Sequence, residues 1–173
     1  MFTRTRVRRL AWGTAGFTFL LILLGRYTAL TGAGLACAAQ WPLCSGGTLP
    51  QTLPDFVEWF HRLVAMIAGF VVLGTAYGVW RTYDATRVRA ASAAAVALLP
   101  VQVLLGRETV VSFGKLSILG HLAAGVLIFG AMVATAVWTT EIDARAVGEA
   151  TRADGAATST TESPGGPPAR PDD

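Results

Sequence analysis

His61 and His121 are the only histidines in the 173-residue chain. Each falls about five residues inside a long apolar run, read from the same end of its run. At 1.5 Å per residue, both imidazoles then sit roughly 7–8 Å below the ends of their helices. Ionisable side chains inside apolar spans are costly and usually functional. A single buried histidine is often only hydrogen-bonded, but two at equal depth on alternate helices favour shared metal ligation. Neither has a cysteine or a second histidine nearby in sequence to complete a tetrahedral zinc site. Two axial imidazoles do suffice for haem iron, so haem is the expected cofactor.

Other reactive residues cluster around this pair. Glu58 precedes His61 by three residues and shares its helix face. It suits proton transfer or stabilisation of developing positive charge, or it is an interfacial carboxylate exposed to water or paired with Arg62. Arg26 and Arg107 occupy similar positions at two helix ends. They are candidates for contacts to haem propionates, or anchors that snorkel to the interface. Ala65 and Gly125 each follow a histidine by four residues. They leave room for a flat ligand, or simply let helices pack closely. Cys37 and Cys44 are the only cysteines and flank Trp41-Pro42 in one loop. In an exported compartment a loop this short can close a disulfide, either as a structural staple or as a redox-active pair.

These residues need a scaffold of membrane helices. Hydrophobic residues make up 53% of the chain and charged residues 14%, below the ~25% charge of a soluble domain. A run of about 20 apolar residues spans a bilayer, and four such spans are expected, near residues 10–28, 56–79, 90–106 and 116–138. Pro100 should kink the third, which a packed membrane bundle tolerates. The expected fold is an all-α integral membrane protein, a four-helix up-and-down bundle over residues 10–140. The net charge of +3 does not point to nucleic acid, because the arginines gather at helix ends without interleaved aromatics. Arg4, Arg6, Arg8 and Arg9 in the arm 1–9, and Arg81, Arg87 and Arg89 between spans two and three, place both termini in the cytoplasm of a plasma-membrane protein. The loop 29–55 then faces outward. The N-terminal run is read as a retained helix, because no convincing small-residue cleavage site follows it. From about Ala144 the composition turns to Gly, Pro, Ser, Thr and Asp, so residues 141–173 are expected to be a disordered cytoplasmic tail.

The spans also repeat. Leu23-Leu24-Gly25-Arg26-Tyr27-Thr28 ends the first, and Leu104-Leu105-Gly106-Arg107-Glu108-Thr109 ends the third. Each is followed by a loop and a histidine-bearing helix. The chain thus reads as two parallel helical hairpins related by an axis along the membrane normal, with His61 and His121 as mates on diagonal helices.

At these positions the sequence resembles the haem A synthases. Thr31-Gly32-Ala33-Gly34-Leu35-Ala36-Cys37 through Trp41-Pro42-Leu43-Cys44 resembles their first outer loop. Glu58-Trp59-Phe60-His61-Arg62 resembles their Glu-x-x-His-Arg motif, and the stretch Gln102 to Val110 with His121 resembles the third helix end and second histidine. The resemblance covers residues 20–138. It implies oxidation of a haem O methyl group to a formyl group for terminal oxidase assembly. It further implies His61 and His121 as axial ligands, Glu58 in catalysis and a Cys37–Cys44 disulfide. The electron-carrying alternative is a bis-histidine membrane cytochrome b. Typical members have two four-helix halves, one thought to hold a haem b cofactor and the other the substrate, whereas this chain resembles compact variants. One site cannot hold both haems, so the resemblance predicts a homo-oligomer, at least a dimer, in membrane lipid. Haem O synthase and a terminal oxidase are the expected partners. Ala38-Ala39-Gln40 stands where an acidic residue is common in the family, which removes that loop carboxylate.

Overall fold

The computed structural model describes residues 2–36, 40–42, 49–112 and 114–161, the last six by backbone only. It comprises α1 (Arg4–Leu30), a short 3-10 turn (Ala33–Leu35), α2 (Leu53–Thr82), α3 (Thr86–Val111) and α4 (Lys115–Thr161). The described residues contain no strand, and the four helices are long and apolar enough to cross a membrane.

Local chemistry fixes the helix ends. Thr3 caps α1, its hydroxyl accepting from Arg6 N–H at 3.4 Å. At α2, Asp55 N–H donates to the Thr52 hydroxyl at 3.3 Å, and Thr52 N–H donates back to the Asp55 carboxylate at 3.2 Å. This reciprocal box satisfies two orphan donors, and Pro54 in the first turn costs no helical hydrogen bond. Arg89 closes the α2–α3 connection by donating to the carbonyls of Tyr83 (2.7 Å) and Trp80 (3.2 Å) and to Asp84 (2.7 Å). α3 runs unbroken through Pro100.

Small and β-branched residues bring the helices together. Ala15, Val72, Ala95, Ile128 and Met132, drawn from all four helices, form the buried core. Close backbone approach through small side chains is how membrane helices gain packing energy when lipid is as apolar as leucine. Thr14 and Thr75 lie 2.7 Å apart in the buried α1–α2 interface. One hydroxyl donates across the interface while the other donates to its own helix one turn back. Phe19 meets Phe129 at 5.7 Å between ring centroids, joining α1 to α4. Thus α1 touches α2 and α4, α3 touches the same two, and α2 and α4 lie on the diagonal. The outward faces carry Leu20, Phe70, Leu104 and Leu127, each more than half exposed. Apolar residues turned outward along four helices suit lipid rather than water. The chain is a multi-pass membrane protein.

Disorder from residue 141 is not what the fold shows. α4 continues to Thr161. Ala144, Ala146, Ala150 and Ala153 are the strongest helix formers, and Glu141 pairs with Arg145 one turn on, which supports helix further. Residues 162–173 lie outside the described residues.

Candidate functional site

The repeat seen in the letters is a repeat in geometry. A Cβ placed on Gly25 would meet His61 Cε1 at 3.0 Å, and a Cβ placed on Gly106 would meet His121 Cε1 at 3.0 Å. Each hairpin therefore seats the Cε1 edge of its histidine ring against the glycine of its own Leu-Leu-Gly-Arg segment. No other residue type leaves that space. His61 lies eight residues beyond Leu53 and His121 six beyond Lys115, both deeper than the five expected. The rings sit about 12 and 9 Å below their helix ends, so their depths still match to within about 3 Å. Their helices face each other across the bundle diagonal.

The rings differ in their polar partners. His121 Nδ1 donates to the backbone carbonyl of Gln102 at 3.1 Å. The Gln102 carboxamide nitrogen lies 3.5 Å from His121 Nε2, and it rests over Gly125, where a Cβ would meet it at 3.2 Å. The space at Gly125 is thus taken by the Gln102 amide and not left for a flat ligand. His61 Nδ1 and Gln102 Oε1 are buried without a hydrogen-bond partner among the described residues.

Glu58 is 4% exposed, so the reading as a water-exposed interfacial carboxylate gives way to the paired one. Arg62 Nε donates to Glu58 Oε1 at 2.8 Å. The same guanidinium donates to the carbonyls of Gln40 (3.1 Å) and Pro42 (2.9 Å). Glu58 Oε2 points toward Gly34, whose Cβ would lie 3.8 Å away. One arginine thereby ties the carboxylate, one turn before His61, to the long loop above it. Arg107 is bound to Glu108 at 2.5 Å and both are over 40% exposed; Arg26 is half-buried. Neither arginine is brought onto a histidine ring by any contact described. Cys37 and Cys44 lie outside the described residues.

A haem fits this donor set. Among the described residues no three His, Cys, Asp or Glu side chains group to hold a metal by themselves. Two imidazoles suit a metal whose other positions a macrocycle fills. His121, fixed by its Nδ1–H bond, keeps its lone pair on Nε2, and the Gln102 amide 3.5 Å away would have to turn aside for a metal to bind there.

Sequence reasoning missed Gln102 as a site residue. Its signal was there: Gln102 is the sole polar side chain between Ser92 and Arg107. Gly25 and Gly106 appeared only as repeat letters, and their role as ring seats needs the fold.

Relatives share this segment. The protoheme IX farnesyltransferase of Halobacterium salinarum is 43% identical over 123 residues, 70% of this chain and 28% of that protein. The haem A synthase of Symbiobacterium thermophilum is 34% identical over 125 residues, 72% of this chain and 40% of that protein. The haem A synthase of Alkalihalophilus pseudofirmus is 35% identical over 99 residues, covering 56% and 33% respectively. The chain thus spans well under half the length of the relatives it matches. Residues 53–161, which carry Glu58, both histidines and Gln102, match the COX15-CtaA family, described as cytochrome oxidase assembly protein. The chain belongs to that family.

Proposed function

We propose that this protein is a haem-modifying oxidoreductase that converts a methyl group of haem O to the formyl group of haem A. The observation that carries the reading is the paired imidazoles on diagonal helices with a buried, arginine-held carboxylate one turn from His61. It is joined by the haem A synthases among the relatives. In this reading His61 and His121 hold the haem, and a bound haem b supplies redox-active iron. Oxidising a methyl to a formyl group, with water as the oxygen source, releases four protons and four electrons, and the electrons pass to an oxidant outside this chain. Glu58 is the group that takes up a proton, Arg62 keeps it oriented, and the bundle excludes bulk water. Arg26 and Arg107 remain candidates for the propionates. The arginine-rich ends face the cytoplasm of the plasma membrane and the histidine end faces outward.

The name protoheme IX farnesyltransferase on the more identical relatives invites a prenyl-transfer reading. Prenyl diphosphates are commonly handled by carboxylates that bind magnesium with the phosphates, whereas the buried carboxylate beside His61 is held by the Arg62 guanidinium. Most of that relative lies outside the match. A polypeptide carrying both parts would have prenylation beside this segment, so a haem-farnesylating enzyme is the partner we assign, with a terminal oxidase as recipient.

The test is co-expression with a haem O synthase in a host that lacks haem A, followed by extraction and separation of haems. Haem A is the expected product. Haem O unchanged, with haem B bound to the protein, would replace the enzyme by an electron-carrying cytochrome b.

A further inference from the structure

The two hairpins repeat, yet their histidines are not equivalent. A carbonyl only accepts hydrogen bonds, so His121 Nδ1, 3.1 Å from the Gln102 carbonyl, carries the proton and leaves the lone pair on Nε2. Leu21 is the repeat counterpart of Gln102, each lying four residues before its glycine. No carbonyl of α1 does the same for His61, whose buried Nδ1 has no partner among the described residues. We infer that His121 is the anchored ligand of the haem site and His61 the exchangeable one, with the Gln102 backbone as the positioning element that makes the difference.

This rests on the haem-binding reading above. A hydrogen bond at Nδ1 fixes the ring and makes the ligating nitrogen a stronger donor. His121 receives both effects and His61 neither. Were a haem held by the two imidazoles, the contact with His61 would be the one that a small neutral ligand displaces, with no electron or proton changing hands. His61 is the imidazole next to the buried carboxylate, because Glu58 sits one turn before it on α2. His121 would therefore hold the haem, and His61 would be the side chain that yields.

The full chain, purified in detergent with haem B, tests this. His61→Gly should keep its haem. His121→Gly should retain at least about tenfold less, because losing an outer-shell support alone costs about 10–100-fold in metal affinity. Reduced wild-type protein should bind carbon monoxide with loss of one imidazole. After photolysis, its iron–histidine stretch by resonance Raman should lie in the range of a hydrogen-bonded imidazole and match that of His61→Gly. That wild-type readout needs no variant to fold. Equal haem loss in both variants, greater loss in His61→Gly, or a stretch typical of an unbonded imidazole would overturn the asymmetry while leaving haem ligation intact. No haem B on wild-type protein would overturn both.

Discussion

Gly106→Ala adds a single methyl group against His121. The new Cβ would lie 3.0 Å from Cε1 and 3.4 Å from Nδ1, whereas carbon contacts relax at about 3.5–4.0 Å. The ring must therefore retreat by about 0.5 Å or more, away from α3 and from the Gln102 carbonyl that holds it. Overpacking costs about 1–3 kcal/mol, and the weakened hydrogen bond about 0.5–1.5 kcal/mol. Alanine's gain of about 1 kcal/mol in helix propensity stabilises haem-free and haem-bound protein alike and cancels from the affinity. The sum is about 3 kcal/mol against the seated ring, which is roughly a hundredfold or more in haem affinity. Haem B titration followed by absorption reads the affinity, and thermal melting of the haem-free protein reads the fold. Gly130→Ala is the control, because nothing lies within 4 Å of its added Cβ. Gly106→Ala binding haem B as tightly as Gly130→Ala, with an unchanged spectrum, would refute the glycine-seat reasoning.

Gly25→Ala should also weaken haem binding, but less than Gly106→Ala, since His61 Nδ1 has no hydrogen bond to lose; parallel titrations decide. Glu58→Gln should keep haem content and lower haem A yield by about a hundredfold or more, the usual contribution of a general base; equal loss of haem and product would make Glu58 structural. Arg62→Ala removes the partner of a buried carboxylate and the tie to Gln40 and Pro42. It should destabilise the protein by about 3 kcal/mol, visible in detergent unfolding, with Arg62→Lys intermediate. Thr75→Val removes the 2.7 Å link to Thr14 and should cost only about 0.6 kcal/mol, as interhelical hydrogen bonds in membranes do.

Much of the scaffold was legible in the sequence because bilayer thickness imposes long apolar runs. All four spans were found, although each helix extends beyond its apolar stretch: capping at Thr3 and Thr52 and alanine propensity beyond Thr139 carry helix past the hydropathy boundary. The diagonal placement of the histidines followed from topology alone. The seats at Gly25 and Gly106 did not, because ring packing depends on how two helices cross. Gln102 was hidden for a similar reason. It acts mainly through a backbone carbonyl, which every residue possesses, and only its amide side chain in an apolar span marked the place. The sequence offers Glu58 as a proton carrier or as an interfacial carboxylate, exposed or paired with Arg62, and burial removes only the exposed form.

The central claim is that His61 and His121 hold one haem between them. Low-temperature electron paramagnetic resonance of the purified, oxidised chain, paired with haem and protein quantification, tests it most directly. One low-spin haem per chain with a bis-imidazole signature is expected, and that signature disappears in both His61→Gly and His121→Gly. A bis-imidazole signal that survives either substitution, or a high-spin haem in the wild-type protein, would contradict it.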